Sequence, residues 1–245
     1  MNPDRIIALR STLTVFRDCD RCLKVFGAEH TQSSVLREAF NAASAAEVGV
    51  CTPRVLGVTE LDGMPTIVSE FVKGKTLAAI ASEQGSVHGC MERFAREHAL
   101  VNSFAAPMLR SEKDAAAEGV LRSGLPQGQI AVLLAQNAAF PEGDRLLHGT
   151  PEMSNVIIDN GGGAHVVGWS RAVKGCPAAD VARGYILARR IYGTAAAEEY
   201  LELRCRAGDV GAEDAARRIP VAAAAMLHYA NEYERKALRA LINTD

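Results

Sequence analysis

The spacing of apolar residues changes character once along this chain, and that change restricts its fold more than any other feature. Up to Glu70-Phe71-Val72-Lys73-Gly74-Lys75, short runs of β-forming residues alternate with polar turns. Beyond that stretch most segments repeat their apolar residues at helical spacing. A sheet-forming part followed by a longer helix-forming part gives an α+β expectation. The boundary falls at residues 72/73, with a sheet-plus-helix lobe over 1–72 and a mainly helical lobe over 73–245. A chain of 245 residues is long enough to bury a substantial core across both.

Two β-rich runs between Ser11 and Phe26 flank Arg17-Asp18-Cys19-Asp20 and predict a hairpin. On its second strand Cys22, Lys24 and Phe26 face one way, Leu23 and Val25 the other. Lys24 therefore shares a face with apolar neighbours. The spacing from Ser33 to Val48 predicts a helix whose stripe is Val35, Glu38, Ala42 and Ala45. A carboxylate in that stripe either reaches the helix surface or is paired, with Lys24 as the partner. Arg54 to Thr59 and Pro65 to Phe71 make a second pair of strands around Leu61-Asp62-Gly63.

In the second part, Met91, Phe94, His98 and Val101 form one helical stripe, and Ile130, Leu133 and Leu134 another. Val181 to Tyr192 form a third, stopped by Gly193. His98 reads as a core histidine, because no ligand-type residue lies one helical turn away. Ala222 to Ala225 read as helix formers. Set among these helices is a β-rich insertion, LLHGTPEMSNVIID, from Leu146 to Asp159. It reads as strand, polar turn and strand. Gly161-Gly162-Gly163 then turns the chain back through Ala164 to Val167, as far as Gly168-Trp169-Ser170.

Charge excludes some functions. Lys+Arg total 27 against 29 Asp+Glu, so no long-range field favours nucleic acid or a membrane surface. The opening MNPDRIIALR lacks an apolar h-region and no run of 18 apolar residues occurs, so the cytoplasm is the expected compartment. Of six cysteines, only Cys19 and Cys22 are closely spaced. A structural zinc needs about four ligands, and no second pair follows, so these read as two thiols in a hairpin.

Several motifs, in order, resemble the aminoglycoside phosphotransferase and choline kinase group, with its two-lobed protein-kinase-like fold. The resemblance spans about residues 11 to 230. It makes Lys24 the strand lysine that grips nucleotide phosphates, with Glu38 as its helix partner. SEFVKGKTL, Ser69 to Leu77, resembles the hinge, where backbone groups at Glu70 and Val72 meet an adenine. LLHGTPEMSNVIID resembles the catalytic loop, with His148 bracing it and Asn155 near the nucleotide. VVGWS, Val166 to Ser170, resembles the metal-binding turn. GCPAADVAR, Gly175 to Arg183, contributes Asp180, which ties helix to loop. The implied cofactor is ATP or another nucleotide.

The departures fall at the chemistry. Thr150 stands where the group has its catalytic aspartate, and Gly168 where it has the magnesium-binding aspartate. No glycine precedes Gly27 in the hairpin expected to cover phosphates. A threonine hydroxyl cannot accept a proton at neutral pH, and magnesium prefers charged oxygen ligands. Three readings follow. The first is a pseudokinase that binds a nucleotide weakly, with little use for magnesium, or binds a metabolite or a protein partner. The second is a slow or altered phosphotransferase with Glu152 or Asp159 as surrogate acid and Asn155 and Asp159 as metal ligands. The third is an interaction module with an occluded cleft. An aminoglycoside would want a concentrated acidic cleft. The C-terminal helices instead mix Glu198, Glu199 and Glu202 with Arg189, Arg190, Arg204 and Arg206.

Overall fold

Leu23 and Val25 are buried while Cys22 and Lys24 between them stay partly accessible, the alternation a strand imposes. The computed structural model describes residues 5–10, 12–208 and 210–242. Strands β1 (Arg5–Arg10), β2 (Leu13–Asp18) and β3 (Arg21–Phe26) form an antiparallel meander. The helix α1 (Gln32–Glu47) follows, then β4 (Val55–Leu61) and β5 (Met64–Glu70). The five-stranded order is β1-β2-β3-β5-β4. It places Lys24 between Val15 and Ile67, near the middle of the sheet.

The expected hairpin is β2–β3, although Ser11, where its first run begins, lies outside the described residues. Strand β1 was not legible in the sequence. Among the described residues it pairs only with β2, and it carries exposed Ile6, Ile7 and Leu9. An apolar run with neither buried face nor alternation gives no periodic signal. A further hairpin, β1–β2, thus precedes the expected one and forms the edge of the sheet.

Helix α1 starts where the Thr31 hydroxyl accepts the Ser34 N–H. It buries Val35, Glu38, Ala39, Asn41, Ser44 and Ala45. Val35 and Ala39 pack with Phe26 and Ile67 on the sheet. Lower on the same face Ala45 joins Leu146, Val166 and Trp169 of the second lobe. Asn41 Nδ2 donates to the carbonyls of Trp169 (2.9 Å) and Ala172 (3.4 Å). One helix face thus fastens the lobes together.

The second lobe runs β6 (Gly74–Thr76), α2 (Leu77–Gln84), α3 (His88–Ser103), α4 (Glu112–Leu121) and α5 (Gln127–Ala139). Then come β7 (Arg145–Leu147), β8 (Val156–Asp159), β9 (Ala164–Val166) and β10 (Val173–Gly175). It ends with α6 (Pro177–Tyr192), α7 (Thr194–Ala207), α8 (Ala212–Met226) and α9 (Glu232–Arg239). The stripe Met91, Phe94, His98 and Val101 is buried, as its spacing predicts. Ala222 to Ala225 are core residues of α8 against α4 and α6. The insertion is less simple than strand, turn, strand. Strand β7 pairs with β10, whereas β8 pairs with β9 and with β6. No helix among the described residues is long and apolar enough to cross a membrane.

Candidate active site between the lobes

A cleft of about 510 Å³ opens between the sheet and the β8–β9 hairpin, lined among others by Val15, Lys24, Val72, Asn155, Ile157 and Gly168. It is open, so an occluded cleft does not describe this protein. Strand β1 adds Ile7 and Ala8 to the wall, two residues that sequence reasoning missed along with their strand. Lys24 Nζ donates to Glu38 Oε1 at 2.5 Å, and the two side chains are 23% and 8% exposed. The carboxylate in the α1 stripe is therefore paired, which is what its burial requires.

At the hinge, the Glu70 carboxylate is held by Arg54 Nη2 at 2.8 Å, and its backbone N–H donates to the Arg54 carbonyl at 3.0 Å. The Phe71 N–H donates to the Asp20 carbonyl at 2.9 Å. Val72 lines the cleft, and among the described residues its N–H and C=O meet no protein partner. A backbone donor and acceptor side by side on a cavity wall suit a flat heterocycle that offers the complementary pair.

The loop after β7 is built around Asp180, which is completely buried. Its carboxylate accepts from the His148 N–H at 2.7 Å, the Gly149 N–H at 2.9 Å, His98 Nε2 at 2.8 Å and Asn102 Nδ2 at 3.2 Å. Burial alone would raise the Asp180 pKa. The His98 interaction, then His148 and the Gly149 amide, hold it well below the usual carboxylate range. His98 spans Asp180 and the Tyr200 hydroxyl (2.8 Å), so it is a satisfied core histidine. Burial lowers its pKa despite Asp180. The neutral ring then donates from Nε2 and accepts the tyrosine proton at Nδ1.

His148 is braced rather than available. Its Nε2 donates to the Val167 carbonyl at 2.9 Å and its Nδ1 accepts the Thr150 N–H at 3.3 Å, with burial lowering its pKa. Gly149 has φ +77°, and a β-carbon there would meet the Arg171 carbonyl at 2.0 Å, so only glycine lets these segments cross. Thr150 lines neither this cleft nor the second large cavity described below. Its carbonyl accepts Asn155 Nδ2 at 2.9 Å. Asn155 is 8% exposed, and its Oδ1 faces Gly168, whose backbone is left-handed at φ +86°.

The two surrogate acids are occupied elsewhere. Glu152 accepts the Ser154 hydroxyl at 2.9 Å and pairs with Arg190 at 3.3 Å. Asp159 accepts the Gly161 and Gly163 amides at 2.8 Å each and meets His165 Nε2 at 2.9 Å. His165 and those amides hold its pKa below normal. Neither residue lines the cleft, so its wall lends no support to the expectation of Glu152 as base and Asp159 as metal ligand. The carboxylates that do line it, Glu38 and Glu70, are both in ion pairs. Among the described residues no three His, Cys, Asp or Glu side chains gather as a metal site.

On the other side of the loop lies a second cavity, of about 640 Å³, reached by Gly149, Arg37, Arg171, Arg183 and Tyr229. No sequence pattern brings these residues together, since they come from α1, α6 and three separate loops.

A family model described as the phosphotransferase enzyme family matches residues 8–219. No curated protein matches the chain. Among solved structures, the chain is similar to a choline/ethanolamine kinase family protein from Mesorhizobium loti. Identity is 19% and the TM-score 0.64, over 99% of this chain and 86% of that one. It is also similar to a thermostable mutant of aminoglycoside phosphotransferase APH(4)-Ia, solved as a ternary complex with ADP and hygromycin B. There the identity is 16% and the TM-score 0.67, over 98% and 94% of the two chains. A third is aminoglycoside phosphotransferase APH(3'')-Id from Streptomyces rimosus, at 19% identity and TM-score 0.62 over 89% and 91%. At these identities the likeness carries the two-lobed fold.

Proposed function

The chain belongs to the phosphotransferase enzyme family, and from that premise we propose that it binds a nucleotide between its lobes without appreciable phosphoryl transfer. One observation carries the reading: the carboxylates expected at 150 and 168 are absent, and Asn155 has closed over position 168. Asn155 spends its amide on the Thr150 carbonyl and turns its oxygen onto Gly168. Loss of a general base alone costs about 10² to 10⁴ in rate.

The chain's own groups suit a nucleotide. Val72 offers an unoccupied N–H and C=O to a base edge, Val15 and Ile157 offer apolar walls, and Lys24, steadied by Glu38, offers a charge to phosphate oxygens. A solved relative was captured with ADP. The residues do not fit magnesium. A hard cation wants carboxylate oxygens, and the cleft supplies only Glu38 and Glu70, both already paired. Lys75, the other lysine on the wall, is paired with Glu83 at 2.7 Å, which leaves Lys24 to meet phosphate charge, so binding is weak and metal adds little. The lobe boundary at 72/73 places Val72 as the connecting residue, and the cytoplasm as the compartment supplies nucleotide.

Calorimetric titration of ATP and ADP, with and without magnesium, tests this together with a phosphate-release assay. Weak, metal-indifferent binding without turnover is expected. Tight binding that disappears on chelation, or robust turnover lost in Glu152→Gln, overturns it in favour of an enzyme with a surrogate acid. No binding of either nucleotide overturns it in favour of an interaction module.

A further inference from the structure

The second cavity has an unusual charge balance. Each acid on its wall is already committed. Asp180 takes four donors, as described. Glu118 is bound by Arg110 at 2.6 Å and Arg122 at 2.8 Å. Glu112 faces Arg218 at 3.7 Å, and burial raises its pKa against the pull of Arg218 and, more weakly, of Arg183.

The cavity's remaining arginines have no such partners. Arg171 stacks over the Tyr229 ring, 3.5 Å from its centroid. Arg183 Nη2 donates to the hydroxyl of the same tyrosine at 2.8 Å, while its Nε donates to the Gly149 carbonyl at 2.7 Å. Two guanidinium groups thus share one tyrosine, and among the described residues neither has a carboxylate within ion-pair distance. Burial is the largest influence lowering the Arg171 pKa, and the Arg183 charge adds to it. Arg37 of α1 lines the same cavity, exposed and with no hydrogen bond or ion pair among the described residues, and its charge acts on Glu118 only from a distance. Guanidinium stays charged in proteins, so two partly buried like charges whose direct contacts are all neutral favour an anion from outside. Phe40, Leu109, Leu147 and Val173 give the cavity apolar walls, and about 640 Å³ is the size of a small-molecule site.

We propose that this cavity binds a small organic anion, a carboxylate or phosphate carried on an apolar body, with Arg37, Arg171 and Arg183 as its cationic contacts. The site is separate from the nucleotide cleft and does not depend on it. A polycation such as an aminoglycoside meets the wrong sign here.

Calorimetry with phenyl phosphate, benzoate and benzylammonium on the full chain tests the proposal, repeated with Arg171→Gln, Arg37→Gln and Lys24→Met. The expected result is that at least one anion binds and benzylammonium does not. Each arginine variant then weakens the anion by about fivefold or more, the scale of a lost charge-assisted hydrogen bond. Arg37 holds nothing in the fold, so Arg37→Gln remains informative if Arg171→Gln fails to fold. Lys24→Met leaves anion affinity unchanged. The proposal is overturned if benzylammonium binds as well as the anions, if neither anion binds, if Arg37→Gln and a folded Arg171→Gln both bind like the parent, or if Lys24→Met removes the anion. Failure of ADP to bind, with the anion results intact, removes the nucleotide reading and leaves this one standing.

Discussion

A β-carbon placed on Gly168 would stand 2.7 Å from the carboxamide oxygen of Asn155, at a residue whose φ is +86°. Both conditions oppose any side chain there. An aspartate at 168 must shift Asn155, which breaks its bond to the Thr150 carbonyl, and must hold a left-handed backbone at a cost of about 1–3 kcal/mol. Gly168→Asp is therefore expected to lower the urea midpoint, whereas Thr150→Asp changes it little. The double variant is expected to gain no metal-dependent nucleotide hydrolysis. Turnover in the double variant would show that Asn155 yields readily and that the two aspartates suffice.

Replacing Lys24 by Met leaves the Glu38 carboxylate, 8% exposed, without its partner. Losing one member of a fully buried pair costs about 3–5 kcal/mol. Lys24 is partly exposed, so a loss of about 1–3 kcal/mol is expected. The double change Lys24→Met with Glu38→Gln should recover most of it. Chemical denaturation of the three proteins measures this coupling, and additive losses would show that the pair contributes nothing specific.

Proline at 72 deletes a backbone N–H that no protein group among the described residues uses. Val72→Pro is expected to leave folding stability within about 1 kcal/mol while weakening ADP about tenfold, the scale of one hydrogen bond. Equal ADP affinity in a folded variant would place the adenine edge elsewhere.

Stability should fall on mild acidification. His98 and His148 have folded pKa values below the ordinary 6.5 because burial opposes their charge. The unfolded chain takes up protons first as pH drops below about 6.5, so stability is full above that pH and declines beneath it. Two such groups give at most about 2.7 kcal/mol per pH unit. Asp180, held below its ordinary 3.8, contributes stability that is present above that value and lost only at still lower pH. Urea midpoints from pH 7.5 to 5 should show this, with a shallower slope in His98→Gln. A flat profile would mean the histidines are not buried in the neutral form.

Glu152→Gln is expected to change stability by less than about 1 kcal/mol, since its ion pair with Arg190 is partly exposed. Nucleotide affinity should be unchanged, because Glu152 lies outside the cleft. A large loss of affinity would return Glu152 to the site.

The sequence by itself determined what depends on neighbours along the chain. The change of period near residue 72, the β2–β3 hairpin, the α1 stripe with its one acid, and the buried stripe of Met91, Phe94, His98 and Val101 all follow from local alternation and helical spacing. The ordered motifs then fixed the family. Tertiary structure decided which charges are spent. Glu152 meets Arg190 from 38 residues away and Arg190 continues to Glu234, while Asp159 folds back onto its own turn. No periodicity reports such pairing. The same holds for Arg37, Arg171 and Arg183, which the folded chain brings to one cavity whose acids are in contact with other groups. Strand β1 escaped for a related reason. It has one partner and no buried face, so its pairing rests on backbone hydrogen bonds that every sequence carries.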